Sequence, residues 1–383
     1  MRQVAIVNPE LGFAGPDTVA VWLLNALKKD NKVTLITADT PDFEKLNSFF
    51  SCNLDNSIEV IVIPIPKLLN KTPRARLLKQ HLLMRYCKKN KNKFDVFISA
   101  YGEMDFGKKG IQYVHFPEII TEAKMVLTKR FYKNSMLRNL YQKVAWCISG
   151  YTVNNVKENV TLANSDWTKK VVDDLYGIHS SVLYPPVLDD FDKKGWHEKD
   201  NGFVYIGRMS PDKRPWELIQ IIKAVRQEGL DVHIHLLGNV GLDLEYVKKI
   251  EEEAKNNPSW VFYEGKVSRK RLIEVVSSHK YGISGKKFEH FGIAVAEIVK
   301  AGNIMFINND GGQVDIVGRD QNLIYNSDEE AVSKIARMIR DEGLQKETLG
   351  RLEELSMKFS VENFIGQTRD IVKRFLEGKS WTS

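Results

Sequence analysis

Short apolar runs recur through the first half of the chain, and helical or polar segments separate them. Each run has the length and composition of a buried strand. The pattern predicts strands at residues 3–7, 32–37, 59–63, 95–99 and 111–115, and a helix over about residues 18–27. Strands that alternate with helices are typical of a parallel, doubly wound α/β sheet.

The second half of the chain repeats this pattern. It predicts strands at residues 202–207, 233–237, 260–265, 281–284 and 303–308, and helices over 244–256, 267–278, 293–300 and within 329–379. A polar stretch without strong periodicity separates the halves. We therefore predict a Rossmann-like domain over residues 1–188, a hinge over 189–201, a second Rossmann-like domain over 202–360, and a C-terminal helix over 361–383.

Composition narrows the class of protein. A chain of 383 residues with 43% hydrophobic content can form two or three ordinary cores. No apolar run approaches the ~20 residues of a membrane span, and the chain opens on a strand instead of a signal peptide, so we expect a cytoplasmic protein. Cys52, Cys87 and Cys147 are widely spaced and have no histidine cluster beside them, which indicates neither a disulfide framework nor a zinc site.

The net charge of +7 comes from the first half of the chain. Ten Lys or Arg residues and no acidic residue lie between Lys67 and Lys93, where leucines recur at helical spacing. Two interpretations stay open: an interfacial helix on anionic lipid, or a solvated basic face over the core. The aromatic spacing of a nucleic-acid platform is absent there, so no nucleic-acid partner is expected.

The stretch at 284–302 is the strongest candidate for chemistry. Gly292 lies near the start of a predicted helix, with Glu289 in the loop before it and Glu297 about a turn and a half inside. A glycine there lets a phosphate approach the exposed N–H groups that the helix dipole favours. A carboxylate one turn further can accept hydrogen bonds from ribose hydroxyls. The alternative is a buried amphipathic helix whose glutamates form salt bridges.

Polar residues also follow two predicted strands. Arg208 and Lys213 come directly after the strand at 202–207 and before a helix, where they can bind a diphosphate or simply be solvated. His115 ends the strand at 111–115, at the edge where ligands of doubly wound sheets bind, although a lone histidine is more often structural.

Three motifs occur in a specific order: Ala-Asn-Ser at 163–165, Gly-Arg-x4-Lys at 207–213 and Glu-x7-Glu at 289–297. Together they resemble the retaining nucleotide-sugar glycosyltransferases of the group 1, GT4-type family. Within it, Tyr-Val-His-Phe-Pro and Glu-His-Phe-Gly-Ile are most similar to mannosyltransferases that use GDP-mannose. The resemblance implies a GT-B fold, in which two Rossmann-like domains face each other across a cleft and the last helix crosses back to the first domain.

The resemblance also implies roles for individual residues. Arg208 and Lys213 would stabilise the leaving diphosphate. Glu289 would bind a hydroxyl of the donor sugar, and His115 would lie near the transferred sugar. Further donor contacts would come from the loop with Gly12 and Gly15 and from Phe291, Gly292 and Ile293. The backbone around Gly265 and Val267 would lie beside the base, and Glu297 would bind the ribose. Gly12-x2-Gly15 is not the G-x-G-x-x-G fingerprint, so bound NAD or FAD is not supported.

The expected reaction is transfer of a hexose, with mannose favoured, to a hydroxyl of a glycan, glycolipid or lipid-linked acceptor. GDP-mannose is the favoured donor, and a UDP- or ADP-sugar is the alternative. Apart from Asp190-Phe-Asp192 in the predicted hinge, no Asp-x-Asp motif is present, so we predict no obligatory metal ion and no other cofactor. Two other functions stay open: a nucleotide-sugar 2-epimerase or phosphorylase, and a protein that binds anionic lipid or nucleic acid. The basic segment would allow peripheral contact with the inner face of a membrane.

Overall fold

A computed structural model describes residues 1–65, 75–117, 136–192 and 194–379. The chain divides into two compact units. The first contains Met1–Pro186 together with Val361–Ser383, and the second contains Val187–Ser360.

The first unit is built on one parallel sheet. Its strands are β1 (Gln3–Val7), β2 (Lys32–Thr37), β3 (Glu59–Val62), β4 (Val96–Ser99), β5 (Ile111–Val114), β6 (Val160–Ala163) and β7 (Ser181–Val182). They lie in the order β3-β2-β1-β4-β5-β6-β7. Four of the five residues of β1 are buried, because helices cover both faces of a doubly wound sheet.

A second parallel sheet forms the other unit. Its strands are β8 (Asp200–Ile206), β9 (His233–Leu237), β10 (Val261–Gly265), β11 (His279–Ser284), β12 (Ile304–Asn308) and β13 (Ile324–Tyr325). Their order is β10-β9-β8-β11-β12-β13. Both sheets therefore have the doubly wound topology, and the predicted α/β class with two Rossmann-like halves is confirmed.

Helices connect the strands in both units. They are α1 (Gly15–Leu27), α2 (Phe43–Phe50), α3 (Ala75–Lys89), α4 (Met136–Ser149), α5 (Val153–Lys157), α6 (Asp166–Tyr176), α7 (Pro215–Gln227), α8 (Leu244–Asn256), α9 (Arg269–Ser278), α10 (Ile293–Lys300), α11 (Gln313–Ile316), α12 (Asp328–Arg340), α13 (Glu342–Ser356) and α14 (Val361–Leu376). Among the described residues, no helix is long and apolar enough to cross a bilayer.

Polar caps fix where several of these helices begin. The Ser165 side chain accepts a hydrogen bond from the Thr168 N–H at 3.1 Å and so caps α6. Ser268 caps α9 in the same way. The first helix begins at Gly15, three residues earlier than expected, and the Asp17 carboxylate accepts from the Ala14 N–H at 2.9 Å.

The last helix belongs to the first unit, as predicted. It packs against α1, and Arg369 Nε donates to the carbonyl of Ala26 at 2.9 Å. The segment at 189–201, which we expected to act as a hinge, groups with the second unit. There Lys199 is buried and its Nζ donates to the Ala301 carbonyl and to Asn303 Oδ1 at 2.6 and 2.7 Å.

The basic segment is not uniformly exposed. Residues 67–74 of it lie outside the described residues, and α3 carries most of the rest. Lys79 is buried and pairs with Glu10 and Asp39 at 2.8 and 2.5 Å. Lys88 pairs with Asp105 at 2.6 Å. At least two of the ten cations therefore form ion pairs with carboxylates of the first unit.

Candidate functional site

The candidate site lies where the strand order of the second sheet reverses. The chain runs outward from β8 through β9 and β10, then returns to begin the other side with β11, so the loops after β8 and β11 separate in opposite directions. Ligands of doubly wound sheets bind in the crevice beyond the carboxyl ends of such strands. The loop after β8 carries Arg208 and Lys213, and the loop after β11 carries Glu289 and Gly292.

Lys213 and Glu289 meet across this crevice. Lys213 Nζ lies 2.5 Å from Glu289 Oε2, and the two side chains keep 24% and 21% of their exposure. A second ion pair joins the same loops, because Lys286 Nζ lies 2.7 Å from Asp212 Oδ2. The paired lysine also lowers the pKa of Asp212 to about 2, against the opposing effect of burial. The two loops are thus held together by charge.

Gly311 holds the backbone of Glu289. The Gly312 N–H donates to the Glu289 carbonyl at 2.7 Å. A Cβ atom on residue 311 would lie 2.1 Å from that carbonyl oxygen, and its φ of +81° is also in the left-handed region. Only glycine fits there. The Gly311-Gly312 pair, which is not among the predicted site residues, therefore supports the position of Glu289.

Gly292 begins the helix that faces the crevice. Its φ of +102° places it in the left-handed region as the N-cap of α10. Four predicted site residues line a small cavity of about 70 Å³ there: Lys213, Glu289, Gly292 and Ile293. The first N–H groups of a helix lack partners within it and attract anions. The cavity combines a cation, a carboxylate and a helix N-terminus.

Glu297 is held by an arginine that we did not predict. Arg269 NH1 contacts Glu297 Oε1, and its other nitrogens bind both oxygens of Asp190 at 3.0 and 2.6 Å. Burial raises the pKa of Glu297, and the Arg269 charge opposes that shift. Oε2 of Glu297 accepts no hydrogen bond from the described residues. Arg269 stands 28 residues before Glu297, and no motif relates the two positions.

The other predicted donor contacts in the second unit differ in exposure. Arg208 is exposed at the end of β8. Gly265 ends β10 with a φ of +64°, and its carbonyl accepts from the Gly238 N–H at 2.8 Å. Val267 is half-buried. Phe291 is buried, with its ring 5.5 Å from that of Phe359 inside the unit, so only its backbone is available to a ligand.

The first unit carries the remaining predicted residues. His115 directly follows β5, and its Nε2–H donates to the Ala100 carbonyl at 3.0 Å. The His115 carbonyl in turn accepts from Asn164 Nδ2 at 3.1 Å. Gly12 lies in the loop after β1, whereas Gly15 is the first residue of α1. The imidazole is therefore oriented by the backbone of its own unit.

Sequence comparison places the second unit among known proteins. Residues 187–353 match the family described as glycosyl transferases group 1. The GDP-Man:Man(3)GlcNAc(2)-PP-Dol alpha-1,2-mannosyltransferase of Dictyostelium discoideum is 23% identical over 68% of this chain and 58% of that protein. The Kluyveromyces lactis protein of the same name is 29% identical over 58% of this chain and 42% of its own length. The chain thus spans about half the length of the curated relatives it matches.

Solved structures share the fold of the whole chain. Anabaena HepE in complex with UDP superposes with a TM-score of 0.70 at 13% identity, covering 97% of this chain and 99% of that one. WaaG, a glycosyltransferase involved in lipopolysaccharide biosynthesis, gives a TM-score of 0.66 at 12% identity, covering 96% and 99%. At these identities the likeness concerns the fold alone.

Proposed function

We propose that the chain is a member of the glycosyl transferases group 1 family, whose model matches residues 187–353, and that it transfers a hexose from a nucleotide diphosphate sugar to a hydroxyl group. The observation that carries this proposal is the cavity at the strand-order reversal of the second sheet, where Lys213, Glu289 and the N-terminus of α10 converge. A cation and a helix N-terminus favour a diphosphate, and a neighbouring carboxylate can accept hydrogen bonds from a sugar.

In this mechanism the leaving diphosphate is stabilised by Arg208, Lys213 and the N–H groups that follow Gly292. Negative charge on the departing phosphate grows in the transition state, and fixed donors aimed at it lower the barrier. Lys213 forms an ion pair with Glu289. An entering diphosphate competes for the lysine, which frees the Glu289 carboxylate to accept a hydrogen bond from the sugar.

The remaining roles follow from the same proposal. Glu297 accepts from the ribose hydroxyls through Oε2, while Arg269 keeps hold of Oε1. The backbone around Gly265 and Val267 lies beside the base, and His115 hydrogen-bonds a hydroxyl of the transferred sugar. Neither glutamate is required as a general acid, because a nucleoside diphosphate is already a good leaving group.

GDP-mannose is the favoured donor, and a glycan, glycolipid or lipid-linked hydroxyl is the favoured acceptor. The names of the relatives support both choices, since the matching mannosyltransferases carry GDP-Man and PP-Dol in their names. UDP stays the alternative nucleotide, because HepE was solved with UDP. A lipid-linked acceptor would place the protein at the cytoplasmic face of a membrane as a peripheral enzyme.

We further propose that transfer retains the anomeric configuration and needs no metal ion. The cations Arg208 and Lys213 would neutralise the diphosphate in place of Mg²⁺ or Mn²⁺. Transfer measured well below the unfolding temperature should be unchanged by EDTA. Activity that EDTA abolishes and Mn²⁺ restores would contradict metal independence while leaving the transferase assignment intact.

The first experiment is a thermal-shift screen of GDP-, UDP- and ADP-sugars. A donor present at 100 times its dissociation constant stabilises the protein by ~2.7 kcal/mol, which is easily measured. Release of nucleotide from the selected donor is then followed with and without acceptor. Release that depends on acceptor supports transfer, whereas sugar isomerisation without acceptor would replace the proposal by a 2-epimerase. The comparisons favour neither this alternative nor a phosphorylase.

A further inference from the structure

Three histidines of the second unit meet on one face of its sheet. His233 and His235 are alternate residues of β9 and therefore project from the same face. His279 is the first residue of β11. One ring nitrogen from each of the three lies within 4.8 Å of the other two. The cluster is near the amino ends of the strands, whereas the candidate donor site is beyond their carboxyl ends.

Gly202 allows the imidazoles to meet. Its strand, β8, lies between β9 and β11, and Gly202 is the register partner of His233. A Cβ atom on residue 202 would lie 2.3 Å from His233 Nε2 and 2.4 Å from His279 Cδ2. Any side chain on residue 202 would occupy the space where the two rings approach. The absence of a side chain on Gly202 thus leaves the space in which the His233 and His279 rings approach each other.

Hydrogen bonds define the tautomers of two of these rings. The Val275 carbonyl accepts from His279 Nδ1 at 2.5 Å, and Glu264 Oε1 accepts from His235 Nδ1 at 3.0 Å. Since neither oxygen can donate, each neutral ring carries its proton on Nδ1 and presents a lone pair at Nε2. A carboxylate or carbonyl behind the ring is the arrangement that orients metal-bound histidines.

The closest approach within the cluster joins His233 and His279, whose Nε2 atoms are 2.9 Å apart. The lone pair of His279 there requires either a proton on His233 Nε2 or a cation between the two rings. Two ligands of a tetrahedral zinc ion at ~2.0 Å are ~3.3 Å apart, so only a small side-chain movement separates this pair from zinc geometry.

We propose that His233, His235 and His279 together bind one transition-metal ion of the Zn²⁺ type, with water as the fourth ligand. Neutral imidazole is a preferred ligand of Zn²⁺, and three histidines with one water form a known coordination set. The ion links β9 to β11 across β8, the three strands whose carboxyl ends lead into the candidate donor site. Its role is to stabilise the sheet, and it takes no part in sugar transfer.

The test uses the complete chain without an affinity tag, stripped with a chelator and titrated with Zn²⁺ and then Co²⁺. Calorimetry should give one equivalent of Zn²⁺, Co²⁺ should produce the visible d–d absorption of a low-coordinate nitrogen site, and the melting temperature should rise with metal. Outer partners of ligating histidines typically contribute roughly 10–100-fold in affinity, so Glu264→Gln should weaken binding by that factor. His279→Gln removes a ligand and should weaken binding by more than roughly 100-fold.

His197→Gln is the matched control, because His197 is exposed in the same unit and lies outside the cluster. It should bind metal like the parent protein. Circular dichroism checks the folding of each variant, and His233→Gln replaces His279→Gln if the buried substitution prevents folding. Binding that is absent in the parent, or equal in the His279→Gln and His197→Gln proteins, would overturn the proposal and leave a metal-free His233–His279 hydrogen bond. Donor binding by the stripped protein tests the transferase proposal separately.

Discussion

At the scale of single residues, two half-buried glutamates each have one cation as a partner. Glu289 pairs with Lys213, and Glu297 pairs with Arg269. Both salt bridges are what the alternative interpretation of the sequence expects, in which the glutamates only stabilise a buried helix. That interpretation and the donor-binding hypothesis are compatible, because a carboxylate removed from water needs a charged partner whenever its ligand is absent.

Glu297→Gln should weaken donor binding, because the amide keeps the size of the side chain but offers the ribose hydroxyls a weaker acceptor. Charged hydrogen bonds are worth about 1.5–3 kcal/mol, so we expect the dissociation constant to rise roughly 10-fold or more. Calorimetric titration with the selected nucleotide sugar measures this change. Glu274→Gln, on the exposed surface of α9, is the control. Unchanged affinity in Glu297→Gln would remove the ribose role.

Lys213→Met should slow transfer more than it weakens donor binding. The proposed lysine charge acts most strongly on the departing diphosphate, and removing one such group costs about 100-fold or more in kcat. Steady-state kinetics separate kcat from KM. Lys223→Met removes an exposed lysine from α7 in the same unit and should leave both values unchanged. A raised KM with unaltered kcat would assign Lys213 to ground-state binding alone.

At the scale of secondary structure, the apolar runs predicted most strands to within two residues. The strands at 3–7, 32–37 and 233–237 have the predicted bounds. Two of the four edge strands, β7 and β13, were not separately predicted, since two residues are too few to show a periodicity. The loops after β8 and β11 were recognised by their chemistry, but their mutual contact depends on strand order.

Gly311→Ala should disrupt the loop that carries Glu289. The new methyl group would meet the Glu289 carbonyl oxygen, and a residue with a side chain is strained at a φ of +81°. We expect a loss of about 1–3 kcal/mol in the free energy of unfolding and weaker donor binding. Denaturant titration and calorimetry measure the two effects.

Gly350→Ala is the matched control for that substitution. Gly350 lies inside α13, where a Cβ atom would meet nothing within 4 Å. The change should stabilise the protein by roughly 0.5–1 kcal/mol, because glycine in a helix loses more backbone entropy than alanine on folding. If both variants lost equal stability, the contact between Gly311 and Glu289 would not be the cause.

At the scale of the whole molecule, stability should fall as the pH falls below about 6.5. His81 is buried in the first unit beside Ser149 and Tyr151, and burial, with a smaller contribution from the Lys88 charge, lowers its pKa to about 4. Between these pH values the unfolded state binds a proton that the folded state does not. The contribution of His81 to the free energy of unfolding is therefore complete above about pH 6.5 and is lost toward pH 4, by up to about 1.4 kcal/mol per pH unit.

Denaturant unfolding at about pH 7, 6 and 5 measures this loss of stability. His81→Gln removes the titrating group and should reduce the slope of stability against pH. His179→Gln, at an exposed position of the same unit, should keep the parent slope. An identical slope in the His81→Gln protein would exclude His81 as a source of the acid sensitivity.

The basic segment should bind anionic vesicles at low salt. Of its cations, Arg85 and Lys89 on α3 are exposed, whereas Lys79 is buried. Near an anionic surface each cation contributes about 1 kcal/mol, so Arg85→Glu with Lys89→Glu should weaken retention by more than roughly 10-fold. Vesicle sedimentation measures retention, with Lys248→Glu on the second unit as the control. No retention of the parent protein would leave the segment as a solvated face.

The sequence by itself determined the two α/β halves, the order of the motifs and the residues that follow each strand. These features are local, because strand and helix periodicity and loop chemistry depend on neighbouring positions. Only the tertiary structure decided which cation holds each glutamate and which histidines meet. Arg269 joins Asp190, 79 residues away, and His233 contacts His279, 46 residues away. Parallel strands bring such positions together through connections of variable length, so no spacing along the chain encodes their contact.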